Sequence, residues 1–410
     1  MDILYVYLCG KKAGVLSSDK GRLTFAYDES YLATPEALPL AYTMPLQRER
    51  YTGNEVISFF SNLLPDEAVR VKIARYLGVS SGNTFALLKR IGEDCAGAVA
   101  LISAERESKA HAQDEYRTLN EDEAHNVLSA LPERPLNVGA VDFHISGAGA
   151  QDKLVACVQE GRIVLPLNGT PSTHIIKPGI ERFPESVFNE LYCMRLAELC
   201  GISAAKCRIL RIKEIPYYVT TRYDRLYKDG RWERLHQEDF CQLLGYEPGV
   251  KYESERGPRL LQCFQLLRDM ALPAADIIEF LQRIIFIFLI GNGDAHAKNF
   301  SIIHQGMGSR LAPAYDLLST AVYPNLPAKL AMKIEGRNRL DWITRNKFLR
   351  MGAKAGLRER LVSAEISKTL AVLDKKLSGF TAQMQEEEPS PVYAEIESGI
   401  RRRMLQMMES

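Results

Sequence analysis

GNGDAHAKNFS, residues 291–301, directly follows the apolar run IIFIFLI (284–290) and precedes APAYDLLST (312–320). Asp294 and Asn299 stand five positions apart on one polar loop, and a second carboxylate, Asp316, comes seventeen residues later. These are the groups that phosphoryl transfer asks for. Mg²⁺ is a hard cation that takes oxygen ligands and keeps several waters, so the carboxylate of Asp316 and the amide oxygen of Asn299 suffice beside nucleotide phosphates. The transfer needs alignment and charge neutralisation more than covalent help, which leaves Asp294 to accept a hydrogen bond from the attacking hydroxyl as catalytic base. By composition alone such a loop is as often an ordinary turn. The reading therefore depends on what surrounds it.

Upstream, FHISGAGAQDK (143–153) runs into the strand-like LVACV (154–158). Its small residues Gly147, Ala148, Gly149 and Ala150 let backbone N–H groups approach phosphate oxygens closely. The string matches neither the Walker pattern nor the full kinase Gly-rich loop, and an Ala-rich hairpin has the same composition. HIIKP (174–178) is a short β-branched strand ending in Lys177, a candidate partner for the α- and β-phosphates, and Pro178 stops regular pairing there. Thirteen residues on, Glu190 lies in an amphipathic helix expected over 184–200, whose Phe188, Leu191, Met194, Leu196 and Leu199 form an apolar side. A strand lysine followed by a helix glutamate, and an Asp and Asn at this spacing, repeat the kinase arrangement. Each alone is also a solvated strand end or helix face.

In this order the segments resemble the HipA family of serine/threonine kinases, toxin partners of bacterial toxin–antitoxin pairs. LTFAYD (23–28), TMPL (43–46) and FFSNLLPDE (59–67) are similar to that family's amino-terminal module. ISGAGAQDK, STHIIKP and FPESVFNE are similar to its nucleotide loop, ATP lysine and following helix. TTRYDR (220–225), LHQEDFCQLLG (235–245), GDAHAKNFS and APAYDLLS are similar to its hinge, C-lobe entry, catalytic loop and metal loop. The resemblance implies an α+β, two-lobed protein-kinase-like fold with an extra N-terminal α+β module. The module is expected over 1–104, the N-lobe with phosphate loop and ATP lysine over 105–223, and the helical C-lobe over 224–410.

The same resemblance implies an ATP- and Mg²⁺-dependent serine/threonine kinase, with Asp294 as base and Asn299 and Asp316 as metal ligands. Ala148, Gly149, Ala150, Gln151, Asp152, Lys153 and Lys177 would meet the ATP phosphates, and Thr221, Arg222 and Tyr223 the adenine. Thr221 stands where the family often carries Glu, so adenine would be held through main-chain groups. His296, Lys298, Asn299, Tyr315 and Asp316 complete the nucleotide set, with a loop-stabilising role an equal alternative for His296. Ser146 matches the serine that family members autophosphorylate to silence themselves. The implied partners are a helix-turn-helix, HipB-like antitoxin, DNA indirectly through that antitoxin, and a protein substrate of the translation apparatus, with an aminoacyl-tRNA synthetase the leading class.

Composition agrees. A chain of 410 residues is long enough for two or three lobes, and 52 basic against 51 acidic residues give a formal charge of +1, so nothing global calls for nucleic acid or membrane. The eight cysteines are scattered without a close Cys-x-x-Cys pair, which points to a reducing, cytoplasmic setting. The longest apolar run falls far short of the roughly 20 residues that span a bilayer. The charged stretch 104–118 reads as a linker. A basic run between Gly336 and Arg360, with eight Lys or Arg against Asp341 and Glu359, is either a solvated helix face or a surface that approaches DNA phosphate. Three other functions stay open at the level of sequence: a metal-dependent phosphohydrolase, although only His304 follows closely as a further ligand; a catalytically weak corepressor acting with a DNA-bound antitoxin; and a lipid or small-molecule kinase.

Overall fold

The computed structural model describes residues 2–110, 114–140, 142–149, 151–305 and 308–408. The chain forms two compact units, the first made of Met1–Pro178, Leu210–Gly249 and Ile302–Gly308, the second of Gly179–Ile209, Val250–Ser301 and Ser309–Ser410.

The first unit begins with the alternating strand Asp2–Leu8. Its Leu4, Val6 and Leu8 are buried on one face, and Tyr7 on the other packs with Ala100 and Ile102. This strand pairs antiparallel with Lys11–Asp19 on one side and Val99–Ile102 on the other, and Arg22–Tyr27 completes a four-stranded sheet. Phe25 from this sheet meets Phe60 of the helix Asn54–Asn62, ring centroids 5.9 Å apart. A second, six-stranded sheet runs in the order Glu115–Thr118, Arg162–Leu167, Leu154–Gln159, His174–Lys177, Ile215–Thr221, Cys207–Ile212. One hydrophobic core runs from Leu4 to Val219, so the module expected over 1–104 and the sheet that follows it share an interior.

Residues 104–110 and 114–118, part of the stretch expected to be a linker, are instead built into this unit. Tyr7 donates its hydroxyl to Glu107 at 2.7 Å, Arg106 pairs with Glu93 and Asp142, and Glu115–Thr118 pairs antiparallel with Arg162–Leu167. All four residues of that edge strand are exposed. Its attachment is made by backbone hydrogen bonds, which leave no apolar periodicity to read.

At the centre of the first unit lies a buried ion cluster. The Asp94 carboxylate, 0% exposed, meets Arg225 at 2.8 Å, Arg234 at 2.9 Å and Arg222 at 3.3 Å, and accepts from the Ser172 backbone N–H at 3.1 Å. Asp224 pairs with Arg222 at 2.7 Å and accepts from Gly97 N–H at 2.7 Å. Burial opposes ionisation of Asp94, but the guanidiniums of Arg225, Arg234 and Arg222 outweigh it and hold the carboxyl well below the usual carboxylate range. Burial and the like charge of Arg222 push Arg225 down to about 10, while Asp224 and Asp94 oppose them.

The second unit is mainly helical. Its central helix, Ala274–Ile290, is apolar nearly all round because the helices Leu260–Asp269, Glu359–Glu387 and Val392–Met408 pack on it. Phe280 contacts Phe264 and Phe300 at centroid distances of 4.8 and 5.1 Å. In the basic run, Arg337 and Arg339 lie over the Trp342 ring and Lys354 pairs with Glu335, so part of its charge is engaged locally. Among the described residues no helix is long and apolar enough to cross a membrane.

A lowered carboxyl pKa stabilises the folded state above the unfolded value, near 3.9, and that stabilisation is lost as pH falls toward the folded value. Asp94→Asn is therefore expected to cost roughly 3–5 kcal/mol at neutral pH, since it leaves buried guanidiniums undercompensated. Guanidinium titrations of both proteins should show the difference at pH 7 and its shrinkage on acidification below about pH 4; a constant difference would reject the ionic account.

Candidate active site

The central helix of the second unit ends in a Schellman turn. Gly291, at φ +69°, donates to Phe288 O at 3.0 Å and Asn292 N–H to Ile287 O at 2.9 Å. A Cβ on Gly291 would lie 2.6 Å from the Ala321 Cβ, so this position requires glycine on both conformational and steric grounds. The chain emerges into the loop that carries Asp294 and Asn299.

That loop is tied to the segment carrying Asp316 by Tyr315, a candidate from the sequence, and by Asn292 and Thr320, which the sequence does not single out. Asn292, 0% exposed, accepts the Asp294 backbone N–H on Oδ1 at 3.0 Å and donates Nδ2 to the Asp316 carbonyl at 3.3 Å. Thr320 Oγ1 accepts from Gly293 N–H at 2.7 Å and donates to Gly291 O at 3.0 Å. The Tyr315 hydroxyl donates to Lys298 O at 2.7 Å and lies 2.6 Å from Ser301 Oγ. Asn299 donates Nδ2 to Asp294 O at 3.1 Å, which orients its amide. Asn299 and Asp316 line the same small cavity. Asp316 is held at φ +54°, a left-handed backbone that Asp tolerates better than most residues but that still costs on the order of 1 kcal/mol.

Asp294, Asn299 and Asp316 are each half-buried, whereas His296 and Lys298 are buried. The Tyr252 hydroxyl donates to Asp294 Oδ1 at 2.5 Å, and the Tyr252 ring meets His296 edge-on at 5.1 Å. Tyr252 lies 42 residues upstream of Asp294, and no local pattern marks it. Glu190 is buried in the helix Ser186–Leu199. The neighbouring Asn189 accepts Ser319 N–H at 2.7 Å and donates to Ser319 O at 2.9 Å, which fixes the helix to the chain just beyond Asp316.

The other candidates belong to the first unit. Ser146 is 1% exposed, donates its hydroxyl to Leu63 O at 2.6 Å and its N–H to Asp94 O at 3.1 Å. Gly149, at φ +109°, accepts from Asp66 N–H at 3.1 Å. Lys153 Nζ donates to Ala148 O at 2.5 Å, Gln151 donates to Pro178 O at 3.2 Å, and Asp152 pairs with Lys72 at 3.2 Å. Ala150 lies outside the described residues. Lys177 is 5% exposed, with Nζ 5.5 Å from the ring centroid of its cross-strand partner Tyr218. Thr221 pairs with His174 at the end of the same ladder, and Tyr223 is half-buried. The Arg222 guanidinium is committed to Asp94 and Asp224, so its side chain is not available to a nucleotide.

A family model described as the HipA N-terminal domain matches residues 4–102, and one described as the HipA-like C-terminal domain matches residues 145–377. The chain belongs to the HipA family. This HipA-family chain is 41% identical over 372 residues to the putative kinase Y4mE of Sinorhizobium fredii, covering 89% of this chain and 88% of that one. It is 31% identical over 345 residues to the serine/threonine-protein kinase toxin HipA of Shewanella oneidensis, covering 81% and 78%. The solved complex of Shewanella oneidensis HipA, HipB and operator DNA contains a chain that superposes with a TM-score of 0.85 at 26% identity, covering 99% of this chain and 97% of that one. The fold is thus the α+β, kinase-like fold of HipA, and relatives named as kinases along most of their length support kinase activity here.

Replacing Asn292 by Leu removes the partner of one buried N–H and one carbonyl. It is expected to cost about 1–3 kcal/mol of stability and to lower phosphotransfer more than it lowers nucleotide affinity. Thermal denaturation beside nucleotide titration checks both, and an unchanged melting temperature would show that the tie between the loops is idle.

Proposed function

We propose that this chain is an ATP- and Mg²⁺-dependent serine/threonine protein kinase acting in the cytoplasm as the toxin of a toxin–antitoxin pair. The observation that carries the reading is the tie through Asn292, which sets the Asp294 loop and the Asp316 segment in one fixed arrangement. Asn299 and Asp316 line one cavity, and an amide oxygen with a carboxylate is a hard-oxygen donor set suited to Mg²⁺. Those two residues would hold the ion, which when bound neutralises charge on the phosphoryl group being transferred. Asp294 orients the attacking hydroxyl and takes its proton. Ala148 to Lys153 and Lys177 hold the phosphates, and the main chain of 221–223 holds the adenine.

The Shewanella complex, in which a similar chain is found with HipB and operator DNA, supports a HipB-like helix-turn-helix antitoxin as partner and DNA contact through it. The substrate is a component of translation, with an aminoacyl-tRNA synthetase the leading class. Autophosphorylation at Ser146 switches the kinase off.

Intact-mass spectrometry with site mapping after incubation with Mg·ATP tests these assignments together. Wild type is expected to gain one phosphate on Ser146, and Asp294→Asn to slow its appearance by about 10²–10⁴-fold. Asp316→Asn is expected to abolish it, and Ser146→Ala to remove that mass without lowering transfer to a protein substrate. A dephosphorylated sample that binds ATP but phosphorylates neither itself nor any added protein would overturn the kinase reading in favour of a corepressor role.

A further inference from the structure

His236, Glu238 and His304 lie together in the first unit, and the fold holds two of them from behind. His236 is 1% exposed and its Nε2 lies 3.0 Å from the carbonyl oxygen of Leu40. A carbonyl has no proton to give, so Nε2 carries the hydrogen and donates it. Burial, reinforced by nearby His304, pushes the His236 pKa down to about 3, so the ring is neutral and Nδ1 carries a lone pair. That Nδ1 is buried with no hydrogen-bond partner, an uncommon condition for an interior nitrogen. Glu238, also 1% exposed, accepts the Tyr42 backbone N–H on both carboxylate oxygens, at 3.1 and 3.0 Å. His304 Nε2 sits 3.0 Å from Glu238 Oε2, and the two imidazoles are stacked at 5.0 Å and 28°. One donor atom from each of the three residues lies within 4.8 Å of the other two.

We propose that His236, Glu238 and His304 form a binding site for a divalent transition metal of the zinc class, distinct from the Mg²⁺ site. Two imidazoles and a carboxylate are a recurrent zinc donor set with room for a fourth ligand, and they are poor ligands for Mg²⁺, which prefers oxygen throughout. The outer contacts are those that metal-ligating groups usually carry: a ring N–H anchored on a backbone carbonyl and a carboxylate anchored by a backbone N–H. Both anchors come from Leu40 and Tyr42, so the ligands are oriented before any ion arrives. Donor atoms around tetrahedral zinc, at bond lengths near 2.0–2.1 Å, stand about 3.4 Å apart. Closing from 4.8 Å needs movement on the order of 1 Å. His304, whose side chain keeps 15% of its surface exposed, can supply that movement and gives the ion and a water their way in. The strand that carries it, Ser301–Gln305, begins two residues after Asn299, so a bound ion would pin the chain leaving the Asp294 loop to the strand His236–Asp239.

The test uses the full chain, stripped with chelator and equilibrated with Zn²⁺ alone, with bound metal counted by mass spectrometry and affinity read by calorimetry. One equivalent is expected, together with a higher melting temperature that grows with free Zn²⁺. His304→Gln, at the partly exposed position, and Glu238→Gln, which keeps an acceptor for Tyr42, are each expected to weaken binding by at least about tenfold and to remove the thermal shift. Asp316→Asn should bind as wild type does, and excess Mg²⁺ should not compete, so the outcome stands apart from that of the kinase assays. Absence of stoichiometric zinc in wild type, or wild-type affinity in both Gln variants, would overturn the proposal and leave the cluster as a buried hydrogen bond.

Discussion

Asp94 is the constraint on which the first unit rests. Its carboxylate, held by three guanidiniums, joins a turn near the end of the N-terminal module to Ser172 and to the chain at 222–234. Its main-chain carbonyl accepts from Ser146. One buried residue thus positions the entry to the expected phosphate loop and the chain just past the expected adenine segment. Ionic clusters of this kind are weak sources of net stability, because desolvation consumes most of the Coulomb gain, but they tolerate few alternative arrangements. An apolar core of the same volume would hold the unit together with no comparable preference for where the 222–225 turn sits.

The second unit solves its positioning problem differently. A helix that is apolar nearly all round cannot move without exposing its surface, so the point where it ends is fixed by packing. Gly291 and the Schellman turn convert that end into a defined loop exit, and Asn292 passes the definition to Asp294 on one side and Asp316 on the other. The left-handed backbone of Asp316 is a small strain stored in this arrangement. It persists because Asn292 and Tyr315 grip the chain on either side of the loop closure.

Legibility in the sequence followed the range of the interactions. Asp294, Asn299 and Asp316 were visible because polar groups at short spacing after a buried helix form a local pattern, as were the strand ending at Lys177 and the helix bearing Glu190. Asn292 lies inside the same loop and gives no such signal, since a buried bridging amide has the same letter as a turn amide. Asp94 is invisible because its arginine partners lie 128 to 140 positions away. Arg222 was read for its place in the hinge, and its side chain proves to belong to that distant cluster. The charged stretch 104–118 misleads for a related reason: charge density suggests solvent, but backbone pairing holds residues 115–118 and ion pairs hold Arg106 in the fold. His236 and Glu238 were seen only as part of the C-lobe entry, and what joins them to His304 is spatial.

The placement of Ser146 bears on how a loop can be both well held and removable. Its hydroxyl and amide, the Gly149 carbonyl and the Gln151 side chain each make one hydrogen bond to the rest of the first unit. At roughly 0.5–1.5 kcal/mol apiece, these hold the loop by a few kcal/mol in all. That is enough to keep the loop seated nearly all the time, and small enough to be overcome by one chemical event. A phosphate on Ser146 would bring roughly −1.5 to −2 charges into a site where the serine side chain is buried and its hydroxyl faces the Leu63 carbonyl. Burying an unpaired charge costs at least several kcal/mol, and a carbonyl oxygen offers a phosphate no donor. The balance therefore favours expulsion of the loop over accommodation of the phosphate. An exposed serine at the same place in the sequence would carry no such consequence, because its phosphate could remain in water while the loop stayed where it was.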